Sequence, residues 1–467
     1  MFFKNEKLKM KKLYVLSFCL LLSLVTWCAN IVYPWRATTA IVKSGDSFEV
    51  WLNADQGQTI NSVQLIGPYS TVDASFKIKK GSWVYDVTSE NTYNINITVK
   101  VPANCPADRY DIVLNTSSGF VSSPSGVKVI KNYKSSFYIL HFSDAHAFQK
   151  GSETVLNRIS TIVDIANIIN PELVFNTGDN LYRPTEDRMN QLFTGNAKQS
   201  TKGLNSLSAA TFTVAGNHDF DFDKLDEKGF YKEKSDWWNS WWGLQTYNFK
   251  YNKARFMVIN NGWDGFKPTQ QIAATEAWLK KEGKGNFRLG AAHIRNKEMP
   301  AFDSIAHLDF ALFGHNHHIA SQNPSLLNNK PIQYIVNSIR DNMEFNLYQV
   351  DGKTGTCVPV GSKTGQVVYI ENPTDQKTPA LYKPKLSLSY LNVNDGSSVS
   401  NTAIFVNKLD FAIEGAKVRF VMPKAKKYLV SNGKIEQEFD GKNVHVVDVS
   451  VDLQAGSTLE VSINVNE

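Results

Sequence analysis

Five short polar segments, each placed where an apolar run ends, constrain this chain more than anything else in it. They are Asp144-Ala145-His146, Gly178-Asp179-Asn180, Gly216-Asn217-His218-Asp219, His293 after Gly290-Ala291-Ala292, and Gly314-His315-Asn316-His317. The runs before them are Phe137–Phe142, Glu172–Asn176, Thr211–Ala215, Arg288–Ala292 and Asp309–Phe313. Runs of this length, bounded by glycine and polar residues, predict buried strands. Between the first two, Val155, Ile159, Ile162, Ala166 and Ile169 recur at spacings of four and three. That periodicity predicts a helix with one apolar face, and Ser152 is the expected N-cap. Strands that carry polar residues at their carboxyl ends collect a site from distant sequence, so the five segments are expected to converge. A lone histidine or aspartate would carry little meaning; five such segments in order define a ligand set.

The chemistry of the set points to metal ions. Imidazole, carboxylate and amide oxygen together suit zinc, iron or manganese, whereas an all-oxygen set would suit magnesium or calcium. No cysteine lies in the set, which argues against a thiolate zinc knot. A pair of cations about 3.5–4 Å apart clamps the attacking and leaving oxygens of an in-line displacement. Phosphoester hydrolysis is the reaction this would serve.

The order Asp-x-His, Gly-Asp, Gly-Asn-His-Asp, His, Gly-His-x-His resembles the signature of the calcineurin-like metallophosphoesterase superfamily, over residues 135–370. The resemblance implies a four-layer α/β/β/α catalytic domain holding two divalent or trivalent transition-metal ions (Fe, Mn or Zn). It assigns Asp144, His146 and His317 to one ion, Asn217, His293 and His315 to the other, and Asp179 to both as a bridge. It makes His218 the group that contacts the phosphoryl oxygen and protonates the leaving group, with Asp219 orienting His218. A hydroxide held between the two ions would attack phosphorus in line. Within the superfamily the branch stays open. Gly178-Asp179-Asn180-Leu181-Tyr182 fits purple acid phosphatases, in which the tyrosine binds iron, but the first block there ends in glycine and here it ends in His146. Tyr182 is therefore read as a pocket or packing residue. The Asp-x-His start instead resembles class III cyclic nucleotide phosphodiesterases and the acid sphingomyelinase group.

A chain of 467 residues has room for about three domains. Residues 33–131 alternate in stretches such as Ile95-x-Ile97-x-Val99-x-Val101 and Tyr110-x-Ile112-x-Leu114, which predicts an immunoglobulin-like β-sandwich. Residues 371–385 mix prolines and threonines with charges and read as a linker. Beyond it, over residues 386–467, Val447, Val449, Val451 and Leu453 and then Leu459, Val461, Ile463 and Val465 predict a second sandwich. The expected architecture is thus a metallophosphoesterase domain flanked by two small all-β sandwiches, which are read as spacers or covers.

The net charge of +6 does not mark a nucleic-acid binder, because residues 1–28 carry five lysines and one glutamate and the remainder holds 45 basic against 43 acidic residues. Those first 28 residues, basic and then uncharged from Leu13 to Trp27, have the parts of a signal peptide and are shorter in their apolar run than a membrane span. Export to the periplasm, outer membrane or cell surface is expected. Trp27 stands where a lipoprotein signal places a small residue, so plain cleavage next to Cys28 is expected, and a lipidated Cys28 tethered to the membrane is the alternative. Cys105 and Cys357 remain after cleavage; a disulfide between them is allowed but not required.

Asp236-Trp237-Trp238-Asn239-Ser240-Trp241-Trp242 follows the Gly-Asn-His-Asp block. On a helix Trp237 and Trp241 share a face, as do Trp238 and Trp242. Core packing is the default for two of them. Trp237, Trp238, Trp241 and Trp263, with Tyr182, are candidates for a wall against the leaving group. The expected partner is a small phosphoester, with no nucleic-acid polymer. The competing reading is an inactive, metal-containing binding or adhesion protein, which is disfavoured because no ligand position is lost.

Overall fold

Strict alternation of apolar residues builds the first domain. A computed structural model describes residues 30–466 apart from 54–57, 87–90, 153, 221–229, 263–267, 296–297, 318–324, 327–331, 373–381 and 425, so the leader, Cys28 and Trp263 lie outside the described residues. Strands β1 (Asn30–Tyr33), β2 (Ala40–Lys43), β3 (Ser47–Asn53), β4 (Ile60–Ile66), β5 (Thr71–Asp86), β6 (Asn91–Lys100), β7 (Arg109–Thr116) and β8 (Gly119–Ile130) follow one another with no helix among the described residues between them. They join in the order β1-β3-β6-β5-β4-β7-β8-β2. The long β5 connects two halves: its first residues pair with β4 and the rest with β6. Ile97, Val99, Tyr110, Ile112 and Leu114 point into the enclosed core and are fully buried.

The middle region has two face-to-face sheets. β9 (Ser136–Phe142), β10 (Leu173–Asn176) and β11 (Ala210–Thr213) run parallel in one. The other holds β12 (Tyr247–Tyr251), β13 (Ala254–Val258), β14 (Phe287–Ala291), β15 (Phe310–Phe313), β16 (Ser325–Leu326) and β17 (Ile332–Ile335), with β13, β14, β15 and β17 parallel. The chain then returns to the first sheet through β18 (Glu344–Asp351), antiparallel to β9, with β19 (Thr356–Pro359) and β20 (Gln366–Val368) on β18. Ile139, Phe175 and Phe212 of one sheet meet Phe256, Leu289 and Phe310 of the other in a single buried cluster.

Helices cover the outer faces. α1 (Val155–Ile169) packs outside the first sheet through Ile159, Ile162 and Ala166, and α2 (Glu186–Thr194) and α3 (Phe230–Trp242) join the same layer. α4 (Pro268–Glu282) and α5 (Met299–Ala306) cover the second sheet through Leu279 and Phe302. The result is the four-layer α/β/β/α arrangement. Helix α1 follows its predicted period, but its cap differs. The helix begins after Thr154, and the Ser152 carbonyl accepts from Val155 N–H within a preceding turn, so the Ser152 hydroxyl does not cap it.

The C-terminal sandwich comprises β21 (Leu386–Tyr390), β22 (Asn401–Asn407), β23 (Ile413–Met422), β24 (Tyr428–Ser431), β25 (Lys434–Asp440), β26 (His445–Leu453) and β27 (Ser457–Val465). Its sheets run β21-β22-β27-β24 and β23-β26-β25. Its core is continuous with the outer face of α1, so Val449 and Ile463 belong to the same buried cluster as Ile159. Before it, the stretch read as a linker is pinned at its ends, with Ile370 bridged to Pro384 and Glu371 N–H donating to the Lys383 carbonyl at 2.9 Å.

The two sandwiches touch each other and the domain between them. Arg419 of β23 donates to Asp448 Oδ1 and Oδ2 (2.6 and 2.8 Å) and to Asp108 Oδ2 (2.7 Å) just before β7. Arg109, buried, reaches the carbonyls of Leu207, Ser125 and Arg36. Residues 35–39 lie along β11: Thr213 N–H donates to the Ala37 carbonyl at 3.0 Å, and Trp35 Nε1–H donates to the Trp241 carbonyl at 2.8 Å. This covers an edge that would otherwise present unpaired backbone groups. Cys105 and Cys357 are both free thiols.

The Arg419 contact yields a prediction about pH. Burial alone would raise the Asp448 carboxyl, but the Arg419 guanidinium and Lys417 outweigh it and hold the group well below the ordinary carboxylate range. A depressed folded-state pKa stabilises above the unfolded value of about 4, and the contribution fades as pH falls toward the folded value. Arg419→Met leaves Asp108 and Asp448 buried without that partner, which is expected to cost about 3–5 kcal/mol at neutral pH. In the variant burial then favours the protonated acid, so the deficit should narrow as pH approaches about 4. Urea melts of both proteins across pH 4–8 check this; a gap independent of pH would contradict it.

Candidate active site

All five polar segments meet at the carboxyl ends of β9, β10, β11, β14 and β15. The loops are laced together by backbone bonds: Asp144 N–H donates to the Gly178 carbonyl and His146 N–H to that of Asp179, both at 2.9 Å. Close approach explains two of the glycines. A Cβ on Gly216 would lie 2.2 Å from Asp179 Oδ1, and one on Gly314 would lie 2.1 Å from Ser143 Oγ. Asp144, His146, Asp179, His315 and His317 hold φ of 54°, 43°, 53°, 69° and 57°, all in the left-handed region.

Two groups of side chains result. In the first, His317 Nε2 lies 3.1 Å from His146 Nε2 and 3.4 Å from Asp144 Oδ1. In the second, His293 Nε2 lies 3.2 Å from Asp179 Oδ2, and Asn217 Oδ1 is 3.1 Å from both His293 Nε2 and His315 Nδ1. Asp179 stands between them, because the Oδ2 that faces His293 is also 3.7 Å from His146 Nε2. Ligand atoms of Asp144, His146 and His317, of Asp179, His293 and His315, and also of His146, Asp179 and His218, fall within 4.8 Å of one another in each group.

The donor set fits cations. Asp144 Oδ1 is buried and faces two imidazole nitrogens, His317 Nε2 at 3.4 Å and His146 Nε2 at 3.8 Å. His293 Nδ1–H donates to the Thr177 carbonyl at 2.6 Å, which turns Nε2 toward Asp179 and Asn217. Orienting partners of this kind are typical of metal-ligating histidines. Burial lowers His146 to about 4, favouring the neutral ring. Burial acts the same way on His293, but the Asp179 carboxylate outweighs it and lifts the ring to about 9. Hydrogen bonds to Asp144 and Asp341 raise His317 to about 9. The same histidines draw Asp179 down against its burial, so it is an anion.

His218 is part-buried at the rim of this constellation, its ring 5.0 Å from that of His146 and 6.5 Å from that of Tyr182. Tyr182 is half-buried beside His218. Asp219 bonds the backbone of three residues. Its Oδ2 accepts the N–H groups of Gly216 (3.0 Å) and Asp179 (2.9 Å), and its Oδ1 accepts that of Asn180 (2.9 Å). It ties the second and third loops together. Burial and the neighbouring Asp179 raise its carboxyl to about 7.

The tryptophans divide by helix face. Trp238 and Trp242 are core residues, 1% and 3% exposed, stacked on each other and packed on Phe220 and Phe193. Trp238 is thus excluded as a substrate wall. Trp237 and Trp241 are half-buried; Trp241 stacks on Phe193 and lies under the Arg36 guanidinium.

Three supporting groups escaped the sequence reading. Asn261 Oδ1 accepts the N–H groups of His293 and Ile294. Asp341 Oδ2 accepts from His317 Nδ1–H at 3.0 Å, and Arg340 grips both Asp341 oxygens at 2.9 Å. A signal for the last pair existed: the run Tyr334-Ile335-Val336 ends in Asn337-Ser338, the same strand-end pattern as the five blocks.

Residues 137–318 match the sequence model of calcineurin-like phosphoesterases, and this part of the chain is a calcineurin-like phosphoesterase domain. No curated relative matches the chain. Among solved structures it is similar to the anchor in the inner membrane complex of Plasmodium, at 11% identity over 48% of this chain and 87% of that one, with a TM-score of 0.33. It is also similar to a dimetal phosphatase from Danio rerio, at 11% identity over 45% of this chain and 92% of that one, with a TM-score of 0.31.

Proposed function

We propose that the protein is an exported, dinuclear-metal phosphoesterase that hydrolyses phosphomonoesters or phosphodiesters by in-line displacement. The observation that carries this reading is the pair of adjacent Asp/His groups, Asp144–His146–His317 and Asp179–His293–His315, within the calcineurin-like domain. Asp144, His146 and His317 would hold one ion, Asn217, His293 and His315 the other, and Asp179 would serve both. When bound, two such ions supply charge neutralisation at the phosphoryl group and an activated water. The chain's own residues do the rest. Asp179 accepts the His218 N–H at 2.8 Å, which fixes the backbone that carries His218. His218 projects where it can contact a phosphoryl oxygen and pass a proton to the departing alcohol. Tyr182 borders the same rim and faces the leaving group.

The test is hydrolysis of generic aryl phosphate mono- and diesters after reconstitution with manganese, iron or zinc. Turnover with one class and not the other assigns mono- or diesterase. Two bound ions with no turnover on any ester would favour a binding protein.

Export rests on residues 1–28, five lysines followed by an uncharged run. The mature protein is expected to begin at or next to Cys28, which mass spectrometry of soluble and membrane fractions checks. A diacylglycerol on Cys28 would replace plain cleavage with lipoprotein anchoring, and an intact leader in the cytoplasm would sink export.

A further inference from the structure

We propose that Asp341 is a positioning residue for the metal ion on the His317 side, acting through the His317 ring and held in register by Arg340 and Arg158; this rests on the metal reading above. His293 and His317 have the same requirement. Each must present Nε2 with its lone pair free, and each therefore needs an acceptor for Nδ1–H. His293 is 0% exposed and takes a backbone carbonyl, that of Thr177, as its acceptor. The His317 side chain is 22% exposed, so packing constrains it less, and Nδ1 faces two side chains at 3.0 Å: Asp341 Oδ2, which can accept its N–H, and Arg340 Nη2, which cannot.

A side-chain acceptor positions a ring only if it is itself fixed, and Asp341 is fixed from several directions. Arg340 Nε donates to Oδ1 and Nη2 to Oδ2, both at 2.9 Å, a fork that sets the plane of the carboxylate. Arg340 Nη1 reaches Gln149 Oε1 at 2.7 Å, just beyond the first metal segment. Arg158, buried on α1, donates through Nη1 to the Ile339 carbonyl at 2.8 Å and to that of Arg340. Ser338 Oγ–H donates to the Asp144 carbonyl at 2.7 Å. Helix α1, the turn after β17 and the first metal segment are thereby locked to one another around His317.

Asp341 does not serve as a ligand itself. It bonds Nδ1 of the ring, whereas Asp144 and His146 face Nε2 on the other side. A merely structural ion pair at this depth of exposure would contribute at most about 1 kcal/mol to stability and would not discriminate between two ions.

The experiment titrates wild type, Asp341→Ala, Asp341→Asn and Arg340→Met with Zn²⁺ against a chromophoric chelator, resolving the two ions, and melts each ion-free protein. Asp341→Ala is expected to weaken one of the two ions about 10–100-fold and leave the other unchanged. The weakened ion should be the one that His317→Ala loses altogether. Asp341→Asn keeps an acceptor oxygen and should recover part of the loss; Arg340→Met should weaken the same ion by a smaller factor. Melting of the ion-free variants should match wild type. If Asp341→Ala does not fold, Arg340→Met and Asp341→Asn carry the comparison. Wild-type affinity for both ions in every folded variant, or equal weakening of both ions, overturns the inference. A wild type that takes up no ion on the His317 side removes the metal reading, and this inference with it.

Discussion

Asp179→Asn is expected to lose both ions at metal concentrations that saturate the wild type, whereas His315→Ala should lose one. The difference follows from position. Asp179 Oδ2 faces His293 at 3.2 Å and His146 at 3.7 Å, so it stands between the two groups, while His315 serves one. Two unit charges about 4 Å apart repel by about 4 kcal/mol at an effective dielectric of about 20, and doubly charged ions repel several-fold more. A carboxylate placed between them offsets that repulsion, and a neutral amide does not. Metal analysis after exhaustive dialysis reads the outcome directly. One ion in the wild type, or equal retention in the two variants, would contradict the assignment of Asp179 as the bridge.

His218→Ala should reduce turnover in proportion to how poor the leaving group is. General acid catalysis of this kind is worth roughly 10²–10⁴-fold, and a nitrophenolate needs little of it. Turnover of an alkyl phosphate ester should therefore fall by about that factor, and turnover of a nitrophenyl ester far less, with both ions retained. Equal losses on the two substrates would reassign His218 to binding the phosphoryl oxygen. No loss on either would remove it from the mechanism. Asp219→Asn is the useful contrast: since Asp219 bonds the amides of Gly216, Asp179 and Asn180, its loss should disturb the loops and affect both substrates alike.

Much of this was legible in the sequence because metal coordination and strand burial both leave local marks. The five apolar runs became β9, β10, β11, β14 and β15 within a residue or two, since a strand buried on both faces reads as an uninterrupted apolar stretch. Helix α1 was legible from the period of Val155, Ile159, Ile162, Ala166 and Ile169. What the sequence hid was direction in space. Asp219 follows His218 in the chain, yet its carboxylate turns to the amides of neighbouring loops. Trp238 and Trp241 differ by three positions, and only the packing of α3 on Phe220 and Phe193 decides that one is core and the other half-buried. Asp341 reaches His317 from a turn after a later strand, and no spacing rule connects the two. The roles of the sandwiches were equally hidden, because the contacts of Asp108 with Arg419 and of residues 35–39 with β11 depend on how whole domains dock.

The left-handed backbone at Asp144, His146, Asp179, His315 and His317 has a consequence for how the protein balances folding against chemistry. A non-glycine residue held there costs on the order of 1–3 kcal/mol, so five together approach the roughly 5–15 kcal/mol that keeps an ordinary domain folded. Ion binding and the surrounding loop bonds must offset that burden. A sequence optimised for stability alone would place glycine at these positions, and this one places ligands. Stabilising substitutions should therefore be easiest to find at the residues least able to accept them, which makes the site the part of the chain where thermostability and function are most directly opposed.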